Sequence, residues 1–253
     1  MEEVTVFLLP HQDDEFGVFF AIEQAARSGA RPICVYLTDG GGYGHDPARR
    51  NAESLRVLRQ LGVGESDVYF TGADEGYKDG LLYTRLDDAV RAIAPILERR
   101  RGIRALYLPA WEGGHQDHDA GHLIGAVLAA KGGLLPVARQ FGLYRATDNL
   151  LGMAAVLPLM ENGPIDSAPI PLGDRRRYLR LALFYVSQWK TWAVLLPMLA
   201  YAYSTRGAQQ TQPLSLSRLA ERPHKGALLY ERRGQANYHP FRTAADEFLR
   251  RSF

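Results

Sequence analysis

Residues 4–15 read VTVFLLPHQDDE, an apolar run that ends abruptly in a histidine, a glutamine and three acids. The nearly continuous apolar stretch at 4–10 is typical of a strand that is buried on both faces. Such strands occur in parallel sheets that helices cover on both sides. The stretch therefore predicts an α/β fold, with polar chemistry at the carboxyl end of its first strand.

The following segments alternate between strand and helix patterns. Further strands are predicted at 32–38, 67–70 and 105–109, and helices at 15–28, 47–61, 85–100 and 118–131. This alternation is typical of βαβ units, whose right-handed crossovers place helices on both faces of the sheet. We predict a Rossmann-like, doubly wound, mostly parallel sheet, for which 3-2-1-4 is the common strand order.

The second half of the chain is less regular. Residues 175–190 and 242–251 have helical patterns, 226–233 resembles a strand, and 207–217 resembles a polar loop. We find no internal repeat and no boundary strong enough to divide the chain, so we predict one domain.

Composition excludes several classes of protein. The chain has 253 residues, of which 46% are hydrophobic and 23% charged, as in ordinary globular proteins. Its single cysteine excludes an intramolecular disulfide and a thiolate zinc cluster. A net charge of +2 gives no indication of a broad basic surface for binding nucleic acid. The apolar runs at 4–9 and 192–203 are too short to span a bilayer. We expect a cytoplasmic protein without stable membrane insertion.

The first polar cluster, residues 11–15, reads HQDDE. Capping of a helix start would explain one or two of its acids. Capping does not require His11, whereas a divalent metal would use imidazole and carboxylate together. His11 and Asp14 are close enough in sequence for a tight turn to direct both at one ion, which leaves Asp13 free as a base.

The second cluster, residues 115–122, reads HQDHDAGH and follows the fourth predicted strand. In the order 3-2-1-4 the two clusters meet at the crevice where strand order reverses. The simplest assembly places His11, Asp14 and His118 on one zinc, with a fourth position open to water. His115 would then stabilise an oxyanion or protonate a leaving amine. These parts predict a metallohydrolase without identifying the bond that is cut.

The motifs PHQDDE (10–15) and GHQDH (114–118), on this strand–helix alternation, resemble the LmbE-like / PIG-L family of zinc-dependent N-deacetylases. Gln12 and Gln116 stand where typical members have proline. The resemblance covers roughly residues 4–130. It implies one Zn²⁺ per chain, or another divalent metal, and removal of acetyl from an N-acetylglucosamine-type sugar or glycoconjugate.

The resemblance also implies a role for individual residues. It assigns His11, Asp14 and His118 to the metal. It makes Asp13 the general base and His115 the second catalytic histidine, and Asp117 would orient His115 or a neighbouring ligand. It divides the domain over 1–253 into a metal-site core at about 4–145 and a divergent substrate-side region at about 146–253.

Four residues are candidates for substrate contacts. The resemblance suggests Asp39, Arg50 and Asp79, while Trp111 stands just before the second motif, where it would stack on a sugar or pack internally. Arg50 has an alternative as a partner of Glu53, and Asp79 as part of a turn.

Other interpretations stay open at this stage. The chain could hydrolyse another bond, such as a thioester or phosphoester, or be a catalytically silent sugar- or metal-binding member of the fold. The basic stretch at 175–180 is either a solvated helix face or a cleft wall for a phosphate or carboxylate. The expected partner is a small amino-sugar or glycoconjugate substrate and not a nucleic acid, with a homo-oligomer also considered.

Overall fold

A seven-stranded sheet forms the centre of the computed structural model, which describes residues 3–148 and 152–253. Its strands are β1 (Val4–Leu9), β2 (Arg31–Tyr36), β3 (Val68–Tyr69), β4 (Ile103–Pro109), β5 (Ala138–Phe141), β8 (Asp166–Pro169) and β9 (Ala208–Pro213). The strand order is β3-β2-β1-β4-β5-β9-β8, parallel through β5 and antiparallel beyond it. The predicted mostly parallel sheet is confirmed, and its first four strands take the common order 3-2-1-4.

Helices cover both faces of this sheet. They are α1 (Phe19–Arg27), α2 (Pro47–Gln60), α3 (Thr71–Asp74), α4 (Leu86–Glu98), α5 (Gln116–Lys131), α6 (Leu172–Ala182), α7 (Trp189–Thr205), α8 (Leu229–Arg232) and α9 (Tyr238–Ser252). Successive side chains of a strand point to opposite faces. Val6 and Leu8 accordingly join one buried cluster, and Phe7 and Leu9 join the other. The continuous apolar run therefore reflects burial on both faces.

The structure corrects the predictions for the second half. The expected polar loop at 207–217 contains β9, which lies between β5 and β8. The expected strand at 226–233 contains the short helix α8, and the expected helix at 175–190 is broken between Ala182 and Trp189. Strand β9 reads AQQTQP, so backbone pairing rather than an apolar pattern places it in the sheet.

A hairpin of β6 (Tyr144–Ala146) and β7 (Met153–Ala155) lies outside the main sheet. Within the described ranges, no helix has the length and apolar character needed to cross a membrane.

The helix α5 packs closely on the ends of the central strands. It is buried from Gln116 to Ala129, which is why its sequence lacks a polar face. A side chain at Gly121 would come within 3.0 Å of Pro10 Cγ, and one at Gly125 within 2.9 Å of Leu108 Cδ1. The two glycines therefore allow the helix to approach β1 and β4, and this approach brings its first turn to the carboxyl edge of the sheet.

Candidate active site

The two motif loops meet at the carboxyl ends of β1 and β4, which are neighbours in the sheet. His11 Nδ1 lies 3.3 Å from His118 Nε2. Asp14 completes a triangle, because its Oδ2 is 3.3 Å from His11 Nδ1 and its Oδ1 is 3.2 Å from His118 Nε2. All three side chains are buried. Two segments more than a hundred positions apart thus bring two imidazole nitrogens and one carboxylate together at one point.

This triangle has the dimensions of a zinc site. Bonds of 2.0–2.2 Å to a tetrahedral zinc ion separate neighbouring ligand atoms by about 3.3 Å. Two imidazoles and a carboxylate are also a ligand set that zinc hydrolases use, with a further position left open. The residues present therefore fit Zn²⁺. A second grouping is also compact, since ring nitrogens of His11, His115 and His118 lie within 4.8 Å of one another.

The far side of His11 contacts carboxylates. Its Nε2 lies 3.1 Å from Asp117 Oδ2 and 3.4 Å from Asp79 Oδ1. Burial lowers the pKa of His11, but Asp79, Asp117 and Asp14 outweigh this effect and raise it well above its ordinary value. Asp117 in turn accepts the N–H groups of Gly80 at 2.5 Å and Leu82 at 3.0 Å. A carboxylate behind a histidine is the usual means of orienting a metal-binding imidazole.

Asp13 lines the same cavity as the triangle, and its carboxylate contacts Arg50. Its backbone is left-handed, with φ of 118°, which is unusual for a residue other than glycine. Its Oδ1 lies 3.2 Å from Arg50 Nη2, and Arg50 also donates to the carbonyl oxygens of Gln12 and Gly40. Burial raises the pKa of the Asp13 carboxyl, and Arg50 opposes that shift.

Asp14 lies in a different electrostatic environment from Asp13. Burial raises the pKa of Asp14, but His118 and His11 outweigh burial and hold it below its ordinary value. Two adjacent carboxylates therefore have different environments, because the imidazoles surround one and the guanidinium contacts the other.

His115 immediately precedes α5 and faces the triangle. Its Nδ1 accepts the N–H of Asp117 at 3.2 Å, and its ring lies edge-on to His11 with the centroids 4.7 Å apart. Burial, with the positive charge of His11, lowers the pKa of His115 to about 4. The imidazole is therefore neutral near pH 7, with Nε2 as its donor because Nδ1 accepts a hydrogen bond.

A cavity of about 310 Å³ opens above these groups. Its floor includes His11, Asp13, Asp14, Arg50, Asp79 and His115. Its walls include Tyr144, whose ring lies 5.1 Å from that of His118, and the two cations Lys190 and Arg233. Sequence reasoning missed Tyr144 and Arg233, because no motif surrounds them and only folding brings them to the site.

The substrate-side candidates separate into two groups. Arg50 and Asp79 line the cavity and form an ion pair of 3.3 Å, so Arg50 does not pair with Glu53. Asp39 is not among the residues that line the cavity. It binds Lys78 at 2.8 Å and accepts the backbone N–H of Asp79 at 3.1 Å, so it supports the turn that carries Asp79.

Trp111 is also not at the cavity, contrary to its proposed role in stacking on a sugar. The side chain is completely buried, and Nε1 donates to the carbonyl oxygen of Glu221 at 3.1 Å. Its ring packs near Phe241 of α9 and His122 of α5. The chain turns after β4, which directs Trp111 into the core while His115 reaches the site.

The fold and the site together define an α/β protein with a His/Asp metal-binding cluster at the carboxyl edge of a parallel sheet. Residues 6–129 match the family PIG-L, described as GlcNAc-PI de-N-acetylase. The family resemblance predicted from the two motifs is confirmed. No curated protein matches the chain at a significant level.

Solved structures with the same fold include three deacetylases. Teicoplanin deacetylase, solved in a zinc-inhibited form, has a TM-score of 0.64 and 15% identity, covering 84% of this chain and 98% of its own. The A40926 pseudoaglycone deacetylase has a TM-score of 0.61 and 18% identity, covering 84% and 97%. The N,N'-diacetylchitobiose deacetylase from Pyrococcus horikoshii, complexed with an inhibitor, has a TM-score of 0.58 and 18% identity, covering 84% and 83%. At these identities the likeness establishes the fold.

Proposed function

We propose that this protein is a zinc-dependent hydrolase that removes the acetyl group from an N-acetylglucosamine-type sugar or glycoconjugate. The observation that carries the proposal is the triangle of His11, Asp14 and His118 with the Asp13 carboxylate beside it. All of these residues lie inside the segment that matches the family. The deacetylase names of the three structural relatives support the same reaction class.

In this proposal His11, Asp14 and His118 hold the ion, and Asp117 holds His11 in the tautomer that leaves Nδ1 free for it. When bound, the ion supplies Lewis-acid polarisation of the acetyl carbonyl and acidifies water. Asp79 lies on the same side of His11 as Asp117 and also faces the cavity. Asp79 and Arg50 are the proposed contacts to sugar hydroxyl groups.

Asp13 is the proposed general base. A water molecule attacks the amide carbon and Asp13 accepts its proton, which forms a tetrahedral centre with a negative oxygen. Burial makes the Asp13 carboxylate a better proton acceptor than an exposed aspartate, because burial raises its pKa. The Arg50 guanidinium fixes the direction of that carboxylate.

His115 is the proposed partner on the other side of the substrate. A neutral imidazole donates a hydrogen bond from Nε2 to the developing oxyanion. The C–N bond then breaks, the nitrogen takes the proton that the base collected, and the products are acetate and the free amine. The residues thus account for both proton movements of amide hydrolysis.

Zinc content and acetate release test this proposal together. Elemental analysis should find one zinc per chain, and a panel of N-acetylglucosamine conjugates should yield acetate and amine in equal amounts. Bound zinc without acetate from any conjugate would contradict the deacetylase assignment. Release of phosphate or thiol from matched esters would then support hydrolysis of another bond.

The proposal includes a single domain over 1–253. Its metal-site core is at about 4–145 and its substrate-side region at about 146–253. The cavity supports it, because Lys190 and Arg233 come from the later region and His11 and His115 from the earlier one. A cytoplasmic location, a homo-oligomer and the lack of a nucleic-acid partner stay predictions, to be checked by cell fractionation, light scattering and a DNA-binding assay.

A further inference from the structure

The acids on the cavity floor all have partners of opposite or potentially opposite charge. Asp13 and Asp79 each form an ion pair with Arg50, at 3.2 and 3.3 Å. Asp14 contacts His11 and His118. The negative charge at the floor is therefore balanced locally, and a bound metal would balance it further.

The two cations on the cavity wall differ in this respect. Lys190 and Arg233 both line the cavity and both are exposed. Within residues 3–148 and 152–253 neither forms an ion pair with a carboxylate. Lys190 Nζ lies 5.8 Å from the centroid of the Trp189 ring, and Arg233 Nη2 lies 3.0 Å from Met153 Sδ. The wall of the cavity thus presents positive charge that the protein leaves unneutralised.

Two observations place Lys190 and Arg233 at the cavity. The charge of Lys190 is felt by another lining residue, and the segment that carries Arg233 is bonded to a loop at the opening. Burial and the charge of Arg50 lower the pKa of His45, another lining residue, while Asp79 and Glu53 oppose the shift and Lys190 adds a smaller lowering effect. Gln235, two residues after Arg233, donates to Tyr43 Oη at 2.6 Å. That bond ties the segment carrying Arg233 to the loop on the other side of the opening.

The basic stretch at 175–180 does not supply this charge. Arg175 donates to the carbonyl oxygens of Ile170 and Tyr203, and Arg177 pairs with Glu23 and Asp174. None of the arginines in this stretch lines the cavity. The unpaired positive charge of the cavity wall therefore comes from Lys190 and Arg233, which both lie outside the family-matched residues 6–129.

We propose that Lys190 and Arg233 bind an anionic group, a phosphate or carboxylate, that the substrate carries beside its acetamido sugar. The proposal rests on the deacetylase function, which it narrows to anionic amino-sugar conjugates. An arginine fork and a lysine ammonium are suited to oxygen anions of this kind. Because both side chains are exposed, water screens them and the expected gain is moderate.

A matched pair of substrates tests the inference. Wild-type protein should hydrolyse N-acetylglucosamine 1-phosphate with a kcat/KM about tenfold above that of methyl N-acetylglucosaminide, through a lower KM. N-acetylmuramic acid, which carries a carboxylate, tests whether the site accepts a carboxylate in place of a phosphate. The preference should shrink in 0.5 M salt because exposed charges are screened.

A double variant should remove the preference, and a single control variant should not. Lys190→Gln combined with Arg233→Gln should bring the ratio of kcat/KM for the phosphate and neutral sugars close to one. Arg232→Gln is the control, because Arg232 is the adjacent exposed arginine, pairs with Asp148 at 3.3 Å and does not line the cavity. That variant should keep the wild-type ratio.

Equilibrium binding separates failure of the inference from failure of the proposed function. Calorimetry with the same sugars measures the anion preference without turnover. If neither sugar is hydrolysed but the phosphate sugar binds more tightly, and the double variant loses that difference, the deacetylase proposal fails and the anion site stands. Equal binding of both sugars by wild-type protein, or an undiminished preference in the double variant, overturns the inference.

Discussion

The carboxylate of Glu15 accepts the backbone N–H of Asp13 at 2.7 Å, and the hydroxyl of Tyr36 donates to its other oxygen. Glu15 is completely buried, and Asp13 is in the left-handed region of backbone conformation. Such a conformation costs about 1–3 kcal/mol and persists only where neighbouring groups hold it. Glu15 therefore stabilises the left-handed backbone of Asp13.

We expect Glu15→Ala and Glu15→Gln to behave differently. Alanine leaves the N–H of Asp13 buried without a partner, which should lower the free energy of unfolding by about 1–3 kcal/mol and lower kcat. Glutamine can accept that N–H with its oxygen while its amide donates to the Tyr36 oxygen. The Gln variant should therefore retain most of the stability and most of kcat. Urea unfolding and steady-state kinetics measure the difference. Equal effects of the two substitutions would contradict this role.

Asp13→Asn tests the proposed base directly. The amide keeps the shape of the side chain but cannot take a proton from water, so kcat should fall by about 10²–10⁴-fold. Zinc content should stay at the wild-type level, because Asp13 pairs with Arg50 and is not one of the three residues proposed to hold the ion. Near-native turnover by this variant would show that another group is the base.

Asp14→Ala and His115→Ala decide whether Asp14 or His115 completes the donor set with His11 and His118. We expect the loss of Asp14 to abolish or strongly weaken zinc binding, since its oxygens complete the triangle with His11 and His118. The loss of His115 should spare zinc and lower kcat. Elemental analysis of dialysed protein distinguishes the cases, and the reverse pattern would support the three-histidine grouping.

Asp117→Asn tests the group behind His11. The substitution removes the charge that favours the Nε2–H tautomer, and zinc affinity should fall by about 10–100-fold. A competition titration with a chelator measures the affinity. Lys78→Gln is a suitable control, because it neutralises an exposed partner of Asp39 and changes no contact of His11 or His118. An unchanged affinity in Asp117→Asn would remove Asp117 from the metal site.

Glu112 should make stability depend on pH. Burial raises the pKa of Glu112 from its ordinary 4.5 to about 8, because only one of its oxygens accepts hydrogen bonds, from Leu143 and Tyr144. The folded state therefore favours the protonated form. The stability from this group is complete below about pH 4.5 and is lost as the pH rises through about 8, by about 1.4 kcal/mol for each unit of pKa difference.

Urea unfolding of wild-type protein and Glu112→Gln at pH 5.5 and 8.5 checks this dependence. The wild type should lose stability relative to the variant as the pH rises, because glutamine does not titrate. A difference between the two proteins that stays constant across this range would show that Glu112 is ionised in the folded state at both pH values.

The first half of the fold and the metal cluster could be predicted from sequence for the same reason. Parallel strands buried on both faces leave apolar runs such as 4–10, and the carboxyl ends of β1 and β4 must be adjacent in the order 3-2-1-4. Histidines and aspartates that end both strands then have to meet. Strand β9 could not be predicted, because its backbone partners, rather than its polar side chains, place it in the sheet.

The sequence by itself therefore determined the doubly wound core and the motif pair that brings His11, Asp14 and His118 together, since local pattern and strand order dictate both. Only the tertiary structure decided which other side chains reach the site. It turned Trp111 into the core and placed Asp39 behind Asp79. It also brought Lys190 and Arg233 to the cavity, because cavity walls form from long-range packing that leaves no periodicity in the chain.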